Sequence, residues 1–224
     1  MSILNVNNIS YDYRLKSGSV HALKDVSFSL EQGKFYAIIG RSGSGKSTLL
    51  SMLAGFDQPK SGEIFFKNSK ITKEDAIKYR SKNVGFVFQA YNLIPHLTAI
   101  ENVMVPLDNI HINRKEKKSR ALEALKSVGL NEELYNKFPT TLSGGEQQRV
   151  AVARSIVTHP EIILADEPTG NLDNEISEVI ISLLKDYAHE LNRCVVVVTH
   201  SMEIAQIADV VFKMADGKLS RQYN

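Results

Sequence analysis

One cysteine in 224 residues, Cys194, has no partner for an internal disulfide, which excludes a disulfide scaffold and fits a reducing compartment. Four valines follow it, Val195 to Val198, so it reads as a small buried hydrophobe and not as a reactive thiol. An excess of one charge is lacking too. Lys and Arg number 27 against 25 Asp and Glu, a formal net charge of +2, whereas nucleic-acid binding calls for a clustered basic face. No apolar run approaches the roughly 20 residues that cross a bilayer. The opening MSILNVNNIS has neither the basic start nor the apolar stretch of a secretory signal. A soluble, cytoplasmic protein is expected, and any work at a membrane would need another chain to hold it there. No low-complexity tract interrupts a composition that is 43% hydrophobic and 23% charged. The length suffices for one substantial core with room for a small subdomain.

What is present is concentrated in FYAIIGRSGSGKSTLLSML, Phe35 to Leu53. A short apolar run, Phe35 to Ile39, precedes Gly40, Gly43 and Gly45, then Lys46, Ser47, Thr48 and a leucine-rich segment of helical period. Strand, glycine loop and helix are the setting of a phosphate-binding loop, and Gly40, Gly45, Lys46 and Ser47 fit G-x-x-x-x-G-K-[ST]. The glycines bring backbone N–H groups within reach of phosphate oxygens, and the helix N-terminus adds partial positive charge. Lys46 is expected to reach the β- and γ-phosphates, Ser47 to bind Mg²⁺ through its hydroxyl, and Thr48 to contact a phosphate further back.

Upstream, alternation over residues 3–9 predicts an edge strand, followed by a polar loop to about Val20, a second strand over Leu23 to Leu30 and a turn at Gln32-Gly33. Tyr11 and Tyr13 sit in that loop. Either can stack on a nucleobase, worth ~1–3 kcal/mol, or pack on the sheet. After the loop helix, Pro59, Ser61 and Gly62 mark a turn, and Glu63 to Phe66 reads as a hairpin strand. Residues 72–82 read as a short charged helix, and Val84 to Phe88 as a buried strand that delivers Gln89 to a position suited to metal or water chemistry. From Ala90 to about Asn136 the pattern turns helical, with Thr98 to Val105 and then a basic helix over Asn113 to Val128. Its cations Arg114, Lys115, Lys117 and Lys118 are interrupted by Glu116 and Glu123 and read as a solvated face. This block is expected to form a helical subdomain inserted into the sheet domain.

Next comes LSGGEQQRVAVARSIV, Leu142 to Val157. Ser143 is an N-cap candidate, Gly144 and Gly145 leave backbone N–H groups unobstructed, and Val150, Ala153, Arg154 and Val157 keep helical spacing, which makes a second helix N-terminus prepared for an anion. Pro160 ends that helix, and Ile162 to Ala165 forms a buried strand delivering Asp166 and Glu167. Such an aspartate can hold Mg²⁺ directly or through water, the glutamate can polarise an attacking water, and two acids beside a polyphosphate make sense with the cation bound. Gly170-Asn171-Leu172-Asp173 turns into a helix whose expected core face is Ile176, Val179, Ile180, Leu183, Leu184, Tyr187 and Leu191. Val195 to Val198 reads as a fully buried parallel strand. It ends at Thr199-His200, at the strand end where α/β sheets bind ligands. A helix from Met202 to Ala208, a strand from Val210 to Met214, a turn at Asp216-Gly217 and a polar tail close the chain.

Taken in order, GRSGSGKST, Gln89, LSGGE, ILADEPT, GNLD and His200 resemble the ATP-binding-cassette ATPases over the whole chain. LSGG ahead of an apolar strand and Asp-Glu is close to diagnostic. The resemblance implies an α/β fold, a P-loop NTPase core with a mixed sheet flanked by helices, an antiparallel β subdomain and an inserted α-helical subdomain. Residues 1–89 and 158–224 would form the nucleotide-binding core with the β subdomain, and 90–157 the helical subdomain with the signature motif. Tyr13 aligns with the aromatic residue that stacks on adenine, with Tyr11 as the fallback. Gly40, Arg41, Ser42, Gly43, Ser44, Gly45, Lys46, Ser47 and Thr48 would be the Walker A loop, and Gln89 the Q-loop glutamine shared between nucleotide and metal. Ser143, Gly144, Gly145 and Glu146 belong to the signature. Asp166 would be the Walker B aspartate that holds the metal with Ser47, Glu167 the catalytic glutamate, Asp173 a D-loop residue and His200 the switch histidine. No catalytic position is degenerate, so an active ATPase using ATP and Mg²⁺ is implied.

In this family two cassettes pack head to tail, and each ATP lies between the Walker A loop of one and the signature of the other. The resemblance therefore implies a homodimer with ATP at the interface and a membrane-spanning permease partner, without nucleic acid. The runs FVFQAYNLIPHLTAIENVMVPL, LSGGEQQRVAVARS and ILADEPTGNLD look most like the cassettes of lipoprotein-releasing, macrolide-exporting and antimicrobial-peptide-resistance transporters. In that group the cassette often drives a mechanical movement of its partner. A cell-division cassette shares these motifs and stands as the alternative. A soluble chromosome or repair ATPase of the superfamily would split its motifs with a long coiled coil, and a translation factor would carry each motif twice. Neither feature is present, and no regulatory C-terminal domain like that of some importer cassettes is expected after Leu219.

Overall fold

The computed structural model describes residues 2–15, 18–110, 112–170 and 172–222. The apolar runs set the architecture. In Lys34–Ile39 (β3) and Cys194–Thr199 (β8), consecutive side chains enter opposite cores: Phe35, Ala37, Val195 and Val197 join one, and Tyr36, Ile38, Val196 and Val198 the other. A strand buried on both faces needs a layer on each side. It gets one from helices and one from a second sheet.

The main sheet has the order β10-β9-β3-β8-β7-β6, with Val84–Val87 (β6), Ile162–Asp166 (β7) and Val210–Ala215 (β9) parallel to β3 and β8, and Lys218–Gln222 (β10) antiparallel at the edge. The second sheet is antiparallel, in the order β2-β1-β4-β5, from Ser2–Leu15 (β1), Gly18–Glu31 (β2), Ser61–Phe66 (β4) and Ser69–Lys70 (β5). Between the sheets lies Lys46–Leu53 (α1), with Leu49, Leu50, Met52 and Leu53 buried among residues of both sheets. Ala76–Asn83 (α2) covers one end of this layer, its Tyr79 ring buried against α1 and donating to the Leu53 carbonyl. The opposite face carries Ala99–Met104 (α3), Arg114–Ser127 (α4), Gly144–Ile156 (α5), Asn174–His189 (α6) and Met202–Ile207 (α7), and the buried residues of all five helices form one apolar cluster with that face of the sheet. Burying a large aliphatic side chain contributes ~1.5–3 kcal/mol. Because β3, β6, β7 and β8 are parallel, their C-terminal ends release the glycine loop, Gln89, Asp166-Glu167 and Thr199-His200 at one edge, which is what positions the site.

Several expectations change. The strand over residues 3–9 and the polar loop are one long hairpin: β1 continues to Leu15 and pairs Tyr11 with Leu23 and Tyr13 with Val20, while Lys16 and Ser17 of the expected loop lie outside the described residues. Ser61 and Gly62 belong to β4 and not to the turn before it, since Ser61 pairs with Ser10. The charged helix begins only at Ala76, after a turn in which the Thr72 hydroxyl bonds Asp75. On α6 the buried residues are Ile180, Ile181, Leu184, Tyr187 and Ala188, whereas Val179 and Leu191 are 39% and 50% exposed; the inward face is turned toward Ile181. The polar tail is largely β10, with Tyr223 and Asn224 outside the described residues, as is Asn171. Cys194 is fully buried and its thiol pKa is pushed up by burial, so it is inert packing. Among the described residues no helix is long and apolar enough to cross a membrane.

Candidate active site

The loop between β3 and α1 is wedged from two sides. A side chain at Gly40 would run into the Met214 carbonyl of β9, and one at Gly45 into the Ala22 carbonyl of β2. Gly45 also has φ +107°, a conformation open to glycine alone. From behind, the Gly217 N–H donates to the Ser44 carbonyl at 3.1 Å. The N-cap of α1 is Gly45, which offers no side-chain cap. The N–H groups of Lys46, Ser47 and Thr48 have no partner within their own helix and are available to an anion. Lys46 Nζ donates to the carbonyls of Gly40 at 2.8 Å and Arg41 at 3.0 Å, which folds the ammonium back over its own loop.

Above this loop opens a cleft of roughly 570 Å³. It brings together Tyr13, Gly40, Arg41, Ser42, Gly43, Gly45, Lys46, Ser47, Thr48, Gln89, Asp166, Glu167 and His200, residues spread over most of the sequence. The Tyr13 hydroxyl lies 3.2 Å from Thr48 Oγ1, with its ring 42% exposed. Tyr11 does not line the cleft; it stands edge-on to Tyr13, with ring centroids 5.1 Å apart.

The acids occupy the end of β7. Burial pushes the Asp166 carboxyl above the usual aspartate range; the Ser47 hydroxyl bonded to it opposes this, Glu167 adds to it, and Lys46 opposes it. A desolvated carboxylate joined to a hydroxyl, with Gln89 on the same cleft, is a hard-oxygen donor set suited to Mg²⁺, an ion that takes most of its ligands from phosphate and water.

Glu167 has φ +49°, a left-handed conformation that costs a residue with a Cβ about 1–3 kcal/mol. Its N–H donates to the Val198 carbonyl at 2.9 Å, and both carboxylate oxygens are held: Oε1 lies 2.9 Å from His200 Nδ1, and Oε2 accepts from the Thr199 hydroxyl at 3.2 Å. The carboxylate is thus aimed by backbone strain and fixed by the end of the neighbouring strand.

Other expected residues stand apart. Ser44 faces away, with its buried hydroxyl unpartnered among the described residues. Asp173 caps α6 by accepting from the Ile176 N–H at 2.8 Å. Ser143, Gly144, Gly145 and Glu146 do not line the cleft. They begin α5 with a capping box, in which Ser143 Oγ accepts from the Glu146 N–H at 3.3 Å and Glu146 Oε2 from the Ser143 N–H at 2.7 Å. Val20, His21, Ala22 and Gly170 also line the cleft, unforeseen from the sequence. For the first three the signal was the hairpin register that sets Val20 opposite Tyr13.

Comparison with known proteins gives a consistent picture. Residues 23–170 match the family model described as ABC transporter. The lipoprotein-releasing system ATP-binding protein LolD of Idiomarina loihiensis is 40% identical over 224 residues, covering 99% of this chain and 98% of that protein. The ABC transporter ATP-binding protein MJ0796 of Methanocaldococcus jannaschii is 41% identical over 226 residues, covering 98% of this chain and 96% of that protein. A dimeric structure of a post-hydrolysis state of the MJ0796 cassette bound to ADP and Pi superposes with a TM-score of 0.94, at 39% identity and 99% coverage of both chains.

Proposed function

The chain belongs to the ABC transporter family as an ATP-binding subunit and ATPase, and from that premise we propose how its residues divide the work and which complex it serves. Tyr13 stacks on adenine. The loop N–H groups, with Arg41, Ser42 and Ser44 shaping the turn, and Lys46 hold the β- and γ-phosphates, and Thr48 binds further back. Ser47, Asp166 and Gln89 would hold Mg²⁺, which would supply positive charge to offset that of the phosphates. Glu167 accepts a proton from the attacking water as its oxygen bonds to the γ-phosphorus; the bond to the bridging oxygen breaks, leaving ADP and phosphate. His200, held on Nδ1 by Glu167, offers its other ring nitrogen to the γ-phosphate. The observation that carries this reading is the Glu167 carboxylate, held on both oxygens in the same cleft as Lys46 and Asp166.

The signature residues lie off their own chain's cleft, so we infer that a second copy supplies them. In a head-to-tail homodimer, Ser143, Gly144 and Gly145 meet the γ-phosphate across the interface, Glu146 holds their turn, and Asp173 orders the adjoining loop. That the similar MJ0796 cassette has been solved as a dimer, in one case bound to ADP and Pi, supports a homodimer. We take residues 1–89 and 158–224 as the nucleotide-binding core with its β subdomain and 90–157 as the helical subdomain. The likeness to LolD proteins supports a membrane-spanning permease partner, a peripheral place on the inner face of the cell membrane, and export or mechanotransmission for lipoprotein, peptide or drug-like substrates.

Light scattering on Glu167→Gln with and without Mg-ATP, beside wild-type turnover at rising protein concentration, tests the reading. An ATP-dependent dimer and turnover that rises faster than linearly are expected. A monomer throughout, with strictly linear turnover, overturns the shared site.

A further inference from the structure

The segment that follows Gln89 is tied to α5 at both ends of that helix. Tyr91 and Asn92 have φ +58° and +50°, left-handed conformations that persist only where the surroundings hold them. Their carbonyls converge on one side chain: Arg154 Nη2 donates to Tyr91 at 2.6 Å and Nη1 to Asn92 at 2.6 Å. The planar guanidinium fork suits two adjacent carbonyls, and a lysine cannot span them in the same way. Arg154 lies in the last turn of α5. At the first turn of the same helix, the Tyr91 hydroxyl stands 2.9 Å from where a Cβ on Gly144 would be, so the tyrosine ring tip packs against this signature position and would have to shift for any larger residue there.

One residue of the segment therefore touches both ends of α5, which are about 15 Å apart at 1.5 Å per residue. Further along, the fully buried Asn102 of α3 donates to the carbonyls of Ile94, Leu97 and Thr98 at 3.0–3.1 Å and accepts from the Ile94 N–H at 2.7 Å. The chain from Tyr91 to Thr98 is thus anchored to the helices, while Gln89 itself faces the nucleotide cleft.

We propose that Tyr91 and Arg154 are positioning residues that lock the segment after Gln89 to α5 and so fix where Ser143, Gly144 and Gly145 stand for the second copy. This rests on the shared-site reading above. Tyr91 fixes the signature end through its ring, and Arg154 fixes the segment through its two carbonyl bonds. Neither touches the nucleotide, so their loss acts on assembly of the second half-site and not on the first.

The test places Tyr91→Ala, Arg154→Met and Arg154→Lys in the Glu167→Gln background. It measures the ATP Kd of the monomer at low protein concentration and the protein concentration at which ATP drives dimerisation. The parent dimerises. Tyr91→Ala and Arg154→Met raise the dimerisation midpoint about tenfold with monomer Kd unchanged, and Arg154→Lys falls between. The double variant is no worse than Arg154→Met, because the two residues form one link. Tyr91 is half-buried at the surface, so Tyr91→Ala carries the test if Arg154→Met does not fold. Midpoints equal to the parent's, or a monomer Kd that moves by the same factor as the midpoint, overturn the proposal. A parent that fails to dimerise with ATP instead removes the shared-site reading, and this inference with it.

Discussion

Helices α1 and α5 both present backbone N–H groups beside glycines, yet their caps are opposites. The N-cap of α1 is Gly45 with no side-chain bond, so its first-turn donors are open and Lys46 stands over them. At α5, Ser143 and Glu146 close a capping box, which takes up the N–H groups of Ser143 and Glu146. Gly144 and Gly145 keep N–H groups without intrahelical partners, and Ser143, whose oxygen already accepts, retains a hydroxyl proton to donate. The difference is one of duty. On the shared-site reading, the α1 terminus would enclose several phosphate oxygens within its own cleft, whereas the α5 terminus, pre-capped, would meet a single phosphate from outside.

Breaking each side in turn separates these duties. Glu167→Gln leaves both termini intact and removes only the proton acceptor: turnover measured by phosphate release falls ~10²–10⁴-fold, while ATP affinity from nucleotide titration stays near wild type. Lys46→Ala damages α1: losing charge-assisted bonds worth about 1.5–3 kcal/mol weakens monomer ATP affinity ~10–150-fold. Ser143→Ala damages α5 alone: monomer affinity holds, dimerisation by light scattering weakens, and loss of the cap costs about 1 kcal/mol, read as a Tm lower by about 2–4 °C. If Ser143→Ala weakened monomer binding as much as Lys46→Ala, the two termini would share one duty. Glu146→Ala opens half of the box and should cost the least, about 0.5 kcal/mol in the same melting experiment.

Motifs whose chemistry lies in consecutive residues were legible, and so were strands whose burial makes them uniformly apolar. β3, β7 and β8 read directly as Phe35 to Ile39, Ile162 to Ala165 and Val195 to Val198, because a parallel sheet covered on both faces admits little else. The end of the hairpin was not legible: Tyr11, Asp12 and Tyr13 mix polar and aromatic side chains on an exposed ribbon, and only pairing with Val20 and Leu23 makes them strand. β10 was missed for the same reason, since Lys218, Ser220, Arg221 and Gln222 are exposed at a sheet edge. The α6 face was misplaced by about one residue because Val179 and Ile181 fit the period equally well, and tertiary contact chose Ile181. At the site, the residue types were readable, but the carbonyls of Ala22 and Met214 that wedge the glycine loop, and Tyr91 against Gly144, are meetings of distant residues that local sequence does not encode.

The most direct test of the shared site is a crystal structure of Glu167→Gln with Mg-ATP. The account predicts two copies head to tail, with the Ser143 hydroxyl and the Gly145 N–H of one copy about 2.7–3.2 Å from a γ-phosphate oxygen seated on the other copy's glycine loop. A γ-phosphate contacted only by residues of the chain whose loop holds it would contradict the account.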